Sequence, residues 1–210
     1  PFGRAPAGPL LLIAFSVYTL GMGSVALVIS GAGGTLGGGI GLALLFVILV
    51  LAYRFALRPA LRPQGTMAGR IAMGLVVAWA SLPVIYGLMA IIQAVSGVVP
   101  QAHVDTILQR KEGWQWFVVM AIVVAPVLEE VTVRGLLYTG LRGAWGPRAA
   151  LIISSILFGL MHWEPPQVWA PLAVFGVFLA YLVEVTGSLT APIVAHMAFN
   201  ALTVGQLLAA

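Results

Sequence analysis

The sequence predicts an all-α fold, a polytopic transmembrane bundle of about seven spans, within a range of six to eight. Three observations carry that expectation. Hydrophobic residues make up 61% of the 210 and charged residues 8%, whereas a soluble domain has about 45–50% and about 25%. The mean hydropathy of +1.07 points the same way. Apolar runs of about 20 residues recur, the length of a helix that crosses the hydrocarbon core, rather than the ~10-residue alternating strands of an outer-membrane barrel. Turn formers separate the runs, in "SGAGGTLGGG", "LRPALRPQG", "VVPQAH", "RGAWGPR", "WEPPQ" and "TGS".

In chain order the spans fall at 9–30, 36–53, 70–99, 114–141, 148–163, 167–186 and 189–209. The first run is too long for a signal-peptide core and lacks a cleavage site, so it reads as a span. The chain starts at Pro1, not Met, which points to a native start further upstream. Pro83 is expected to kink the third span. Pro126 stands just before a group of charges in the fourth, which reads as one long tilted helix or as a span plus a half-helix. Residues 1–113 form an N-terminal group of about three spans and residues 114–210 a core of about four helices, within one integrated membrane domain.

Charge placement sets an expected orientation. Arg54, Arg58, Arg62 and Arg70 surround one short loop, and Arg4, Arg142 and Arg148 fall on the same side in a seven-span count. That side is cytoplasmic by the positive-inside rule, with Arg110 and Lys111 opposing it from the other side. The net charge of +4 therefore reads as topology signal. The predicted partner is the lipid bilayer, with no nucleic acid, in the cytoplasmic membrane of a bacterium or archaeon. Cysteine is absent, which excludes disulfides, thiolate metal sites and a cysteine nucleophile.

The stretch "APVLEEVTVRG" places Glu129, Glu130 and Arg134 inside an apolar run. Charged side chains at membrane depth are costly and usually mark function. Glu130 and Arg134 are four apart on one helical face and can pair. Glu129 is turned about 100° away. It is left as the carboxylate free for chemistry, with Glu130 and Arg134 as structural support. Two of the three histidines lie in later apolar runs, His162 four residues after Phe158 and His196 four residues before Asn200. Glu129 and His162 are about equally far from the turn near Trp145, so an antiparallel hairpin brings them to similar depth. His196 needs helix tilt to come level.

A carboxylate and an imidazole can hold a water and take its proton, while a protonated histidine and an asparagine amide can donate to an oxyanion. That set suits water-mediated amide hydrolysis. Two histidines and a glutamate also suit zinc. No HExxH helix is present, which weighs against a metal, and a divalent metal such as zinc stays open as a cofactor only on the His–Glu set.

Glu129-Glu130-x-x-x-Arg134-Gly135, Phe158-x-x-x-His162 and His196-x-x-x-Asn200, in this order, resemble the CPBP family. These are the CAAX proteases and bacteriocin-processing (Abi) intramembrane proteases, related to the type II CAAX prenyl endopeptidases. The likeness covers about residues 114–205, including "ISSILFGLMH" and "GSLTAPIVAHMAFN"; Val133 stands where the family often has an aromatic residue. The resemblance implies an intramembrane endopeptidase. Glu129 and His162 would activate water, His196 and Asn200 would support the oxyanion, and Glu130 and Arg134 would hold the site. It implies a membrane-associated protein or peptide substrate, such as a prenylated C-terminus or a leader segment. The mechanism would be either metal-dependent or of the glutamate type.

Two other functions fit the same residues. A non-enzymatic immunity or partner-binding protein would retain full activity as a Glu129→Gln, His162→Ala double variant. A proton-coupled transporter would show pH-driven uptake, although no inverted repeat is evident. The remaining polar groups have plainer readings. Glu184 is an interfacial carboxylate, and His103, Asp105 and Glu112 belong to a solvated loop. Trp114, Trp116, Trp163 and Trp169 form interface belts. Ser154, Ser155 and Gly159 are close-packing positions, and Glu164 is a candidate contact near His162.

Overall fold

The computed structural model describes residues 60–97, 114–162 and 166–209, together with isolated positions 9, 13, 16, 17, 20, 21, 47 and 51. The spans expected at 9–30 and 36–53 lie almost wholly outside these residues. So do Arg4, Arg54, Arg58, His103, Asp105, Arg110, Lys111, Glu112, Trp163, Glu164 and the side chain of Trp114.

The described chain is helical and without strands. Helix α1 (Met67–Ser96) starts at Thr66, whose hydroxyl accepts the Gly69 N–H at 3.1 Å. Pro83 lies inside α1 without ending it. A long helical segment follows. It comprises α2 (Trp114–Val119), a π-helical turn (Met120–Val124), α3 (Ala125–Glu129), a π-helical stretch (Glu130–Tyr138) and α4 (Thr139–Leu160). The backbone runs through Glu129 without a re-entrant break. The bundle is completed by α5 (Trp169–Thr186), preceded by a short 3-10 turn (Pro166–Val168), and α6 (Thr190–Ala209).

The reversal expected at "RGAWGPR" is made by Gly146, at φ 82° and ψ 171°. That region of backbone space is open essentially only to glycine. Pro147 then restarts the helix with its preset φ. Residues before and after Gly146 thus form two arms of a hairpin, as Glu129 facing His162 demonstrates. Among the described residues, four helices are long and apolar enough to cross a membrane, namely Met67–Ser96, Gln115–Leu160, Pro166–Thr186 and Thr190–Ala209. The second of these is the one bent at Gly146. The expected total of about seven extends over residues that are not described.

Helix α4 packs on α5, and α1 packs on α6. Ala78, Ile85, Val133, Phe158, Phe175, Leu179, Ala195 and Phe199 form the main core. Large apolar side chains such as Val76, Trp79, Ile91, Ile152, Ile156 and Tyr181 face outward, as expected where lipid takes the place of water. One end of the bundle is tied by polar bonds. The Gln64 N–H donates to the Thr186 carbonyl at 2.7 Å. Arg142 grips Glu184 with two bonds of 2.8 Å, and the Tyr138 hydroxyl donates to the same carboxylate at 2.5 Å. Glu184, read from sequence as an interfacial carboxylate, is therefore an interhelical anchor.

Candidate active site

Local chemistry separates the two adjacent glutamates. Glu130 is fully buried and its Oε1 accepts from Arg134 Nη1 at 3.0 Å, the i,i+4 pair expected from sequence. The same oxygen accepts from His196 Nδ1 at 3.0 Å. Arg134, also fully buried, spends Nη2 on the Gly176 carbonyl at 3.2 Å and lies over the Phe158 ring, 4.1 Å from its centroid. Gly176 is required for this approach. A Cβ there would lie 3.0–3.1 Å from Ser155 and 3.2 Å from Arg134 Nη2. Burying these charges is tolerable because each has a hydrogen-bonded partner.

Glu129 faces the other way, toward His162. Its Oε2 lies 3.8 Å from His162 Nε2, too far for a hydrogen bond. Oε2 has no hydrogen-bond partner among the described residues. His162 Nδ1 is 2.9 Å from the Phe158 carbonyl. A carbonyl only accepts, so Nδ1 carries the hydrogen and the neutral ring presents a lone pair at Nε2. Two acceptors therefore face each other across a short gap. The side chains of His162 and Glu129 are 32% and 15% exposed, while Glu129 Oε2 itself is buried.

His162 is held firmly. It lies just past the end of α4, with its N–H donating to the Gly159 carbonyl at 3.2 Å and its own carbonyl accepting Trp169 Nε1–H at 2.7 Å. Trp169 was expected in an interface belt. Its indole instead fixes the backbone of His162, a role that nothing in the local sequence signals. Phe158 stands edge-on to both histidines, with ring centroids 5.0 Å from His162 and 5.6 Å from His196.

His196, expected from the resemblance on the oxyanion side, has its Nδ1 on Glu130 and not on Glu129. Its ring reaches the buried carboxylate from α6. With Nδ1–H spent on Glu130, Nε2 can donate only when the ring carries both protons.

Asn200 donates Nδ2–H to the Ala121 carbonyl at 2.8 Å. Backbone geometry explains why that carbonyl is free. The Ala125 N–H, its donor in an α-helix, bonds to Met120 across the π turn. The donor in π register would be residue 126, which is proline and has no N–H. Within a membrane such an orphan carbonyl must be satisfied by a neighbouring helix, and Asn200 does so. Glu129, His162 and Phe158 thus meet in one place, His196 joins them through Phe158 and Glu130, and Asn200 is tied to the helix that carries Glu129.

A zinc site needs three protein ligands. Glu129 and His162 supply two, and His196 is turned to Glu130. Among the described residues no group of three His, Asp or Glu side chains is set to hold a metal ion. The described residues therefore do not by themselves complete such a site.

A family model described as type II CAAX prenyl endopeptidase Rce1-like matches residues 111–202. The matched stretch contains every residue of the three motifs. No curated protein and no solved structure matches the chain.

Proposed function

We propose that this chain, whose residues 111–202 belong to the CPBP/CAAX protease family, is an intramembrane endopeptidase that cleaves a peptide bond of a membrane-associated protein or peptide. The observation that carries the reading is the pair of acceptors, Glu129 Oε2 and His162 Nε2, 3.8 Å apart, with no hydrogen-bond partner for Oε2 among the described residues. A water has two hydrogens and can donate one to each acceptor. Its oxygen lone pair is then left to attack a carbonyl carbon.

In the first step the water forms its bond to the carbonyl carbon as one proton passes to the Glu129–His162 pair. The carbonyl electrons move to oxygen. His196 in its doubly protonated form, held by Glu130, supports that oxyanion, with Asn200 one turn further along the same face of α6. Collapse of the intermediate re-forms the carbonyl and breaks the C–N bond. The proton held by the pair goes to the leaving amine. Arg134 holds Glu130 in place, and Phe158 sets the spacing of the two imidazoles.

The test is cleavage by the purified full chain in liposomes. The probe is an internally quenched peptide ending in a prenylated cysteine and three further residues, alongside non-prenylated membrane-anchored peptides. The parent chain is expected to cut at least one of these and Glu129→Ala none. Cleavage by Glu129→Ala at the parent rate would overturn the assignment.

A further inference from the structure

The family match begins at residue 111, past the end of α1 at Ser96. Yet α1 packs on α6, the helix that carries His196 and Asn200. The buried positions of α1 are Gly74, Ala78, Ser81 and Ile85, spaced four, three and four apart, which puts them on one helical face. Ser81 Oγ donates to the Ala78 carbonyl at 2.8 Å, so its hydroxyl proton is spent within α1.

Helix α1 holds α6 on both sides of the two functional residues. Before His196 the contact is between backbones. A Cβ on Gly74 would lie 2.5 Å from the Ala191 carbonyl oxygen, 3.1 Å from Val194 Cβ and 3.2 Å from the Ala195 nitrogen. Small residues at such crossings are what let membrane helices approach closely. Ala78, Ala191 and Ala195 share the same buried cluster. Around Asn200 the contact is made by Tyr86. Its ring stacks on Phe199, with centroids 6.4 Å apart, and its hydroxyl donates to Gln206 Oε1 at 2.7 Å. Phe199 in turn stacks on Phe175 at 4.3 Å, and Phe175 stands edge-on to His196 at 5.5 Å.

The two bonds that α6 makes at the site tolerate little movement. His196 Nδ1 lies 3.0 Å from Glu130 Oε1, and Asn200 Nδ2 lies 2.8 Å from the Ala121 carbonyl. A shift of α6 away from these acceptors by under about 1 Å takes both beyond hydrogen-bond range. We propose that α1 is a working part of the catalytic unit, with Gly74 and Tyr86 as positioning residues that fix α6 so that His196 meets Glu130 and Asn200 meets the Ala121 carbonyl. Its effect on turnover rests on the proteolytic reading. The oxyanion forms only during the reaction, so a displaced α6 lowers kcat and leaves KM nearly unchanged.

The test compares Gly74→Ala with Gly87→Ala in the full chain in detergent. Both add a methyl group to α1, but a Cβ at Gly87 meets nothing within 4 Å. Alanine is the better helix former, so Gly87→Ala should fold at least as well as the parent and keep its kcat. Gly74→Ala should lower kcat per folded molecule by about 10–10²-fold, up to the scale of a 1 Å misplacement, with KM within about twofold. A change confined to KM, or a kcat equal to that of Gly87→Ala, overturns the proposal. A second measurement needs no cleavage. With isotope-labelled histidine, the Nδ1 proton of His196, identified by its loss in His196→Gln, should exchange with water at least about tenfold faster in Gly74→Ala than in Gly87→Ala. Equal exchange rates also overturn the proposal. If Gly74→Ala does not fold, Tyr86→Ala decides by the same two measurements against the parent. Absence of cleavage by the parent chain counts against the proteolytic reading, while proton exchange still decides the role of α1.

Discussion

Asn200→Ala should be harmful in the parent chain and nearly harmless once residue 126 is no longer proline. The perturbation removes the donor that reaches the Ala121 carbonyl at 2.8 Å. Leaving a buried carbonyl without a partner costs about 1–3 kcal/mol. Hydrogen bonds between membrane helices average nearer 0.6 kcal/mol, with about 1.7 as the upper measured value. We therefore expect a loss of about 1 kcal/mol, roughly fivefold in the folded ratio. In Pro126→Ala the new N–H at residue 126 can complete the π register onto Ala121, because the Ala125 N–H is already on Met120. There Asn200→Ala should cost less than half as much. The assay is a double-variant cycle of unfolding free energies for the full chain in detergent. Equal losses in the two backgrounds would refute the reasoning about the orphaned carbonyl. The same four proteins report on cleavage. If turnover by Asn200→Ala recovers in the Pro126→Ala background, Asn200 acts by placing the Glu129 helix. If turnover stays low in both, it acts on the oxyanion.

Glu129→Gln and His162→Ala should each lower turnover by at least about 10²-fold, the usual scale of general acid–base catalysis, with little change in the unfolding midpoint. Glu130→Ala should differ in kind. It strips the buried Arg134 of its carboxylate and His196 of its acceptor, and breaking a buried pair costs about 3–5 kcal/mol, so unfolding should report the loss directly. A stable, fully folded Glu130→Ala would contradict that account. Gly146→Ala should cost about 1–3 kcal/mol because φ of 82° and ψ of 171° strain any side chain, whereas Ala144→Gly, at an exposed neighbouring position, should cost less. Equal stability of the two would show that the turn relaxes.

The one-dimensional pattern determined more about class and site than about connections between helices. Hydropathy specified a helical membrane protein because lipid forces every spanning backbone group to be bonded within its own helix. The four-residue spacing of Glu130 and Arg134 specified their pair because helix geometry alone brings such residues together. The equal distance of Glu129 and His162 from a glycine turn specified their meeting, since an antiparallel hairpin matches residues by their count from the turn.

What the spacing could not contain is the relative tilt and rotation of α5 and α6. These are decided by packing among Phe158, Phe175, Ala195 and Phe199, and they turned His196 to Glu130 rather than Glu129. The π turn is another decision of tertiary structure. It shifts hydrogen bonds by one residue, and only then does Pro126 orphan the Ala121 carbonyl that Asn200 satisfies. Trp169 shows the same limit, because its bond to His162 depends on where α5 begins against the end of α4. Local sequence therefore supplied the chemically able groups and their turn-to-turn spacing. The contacts that aim those groups come from helices distant in sequence, whose angles depend on how their side chains fit.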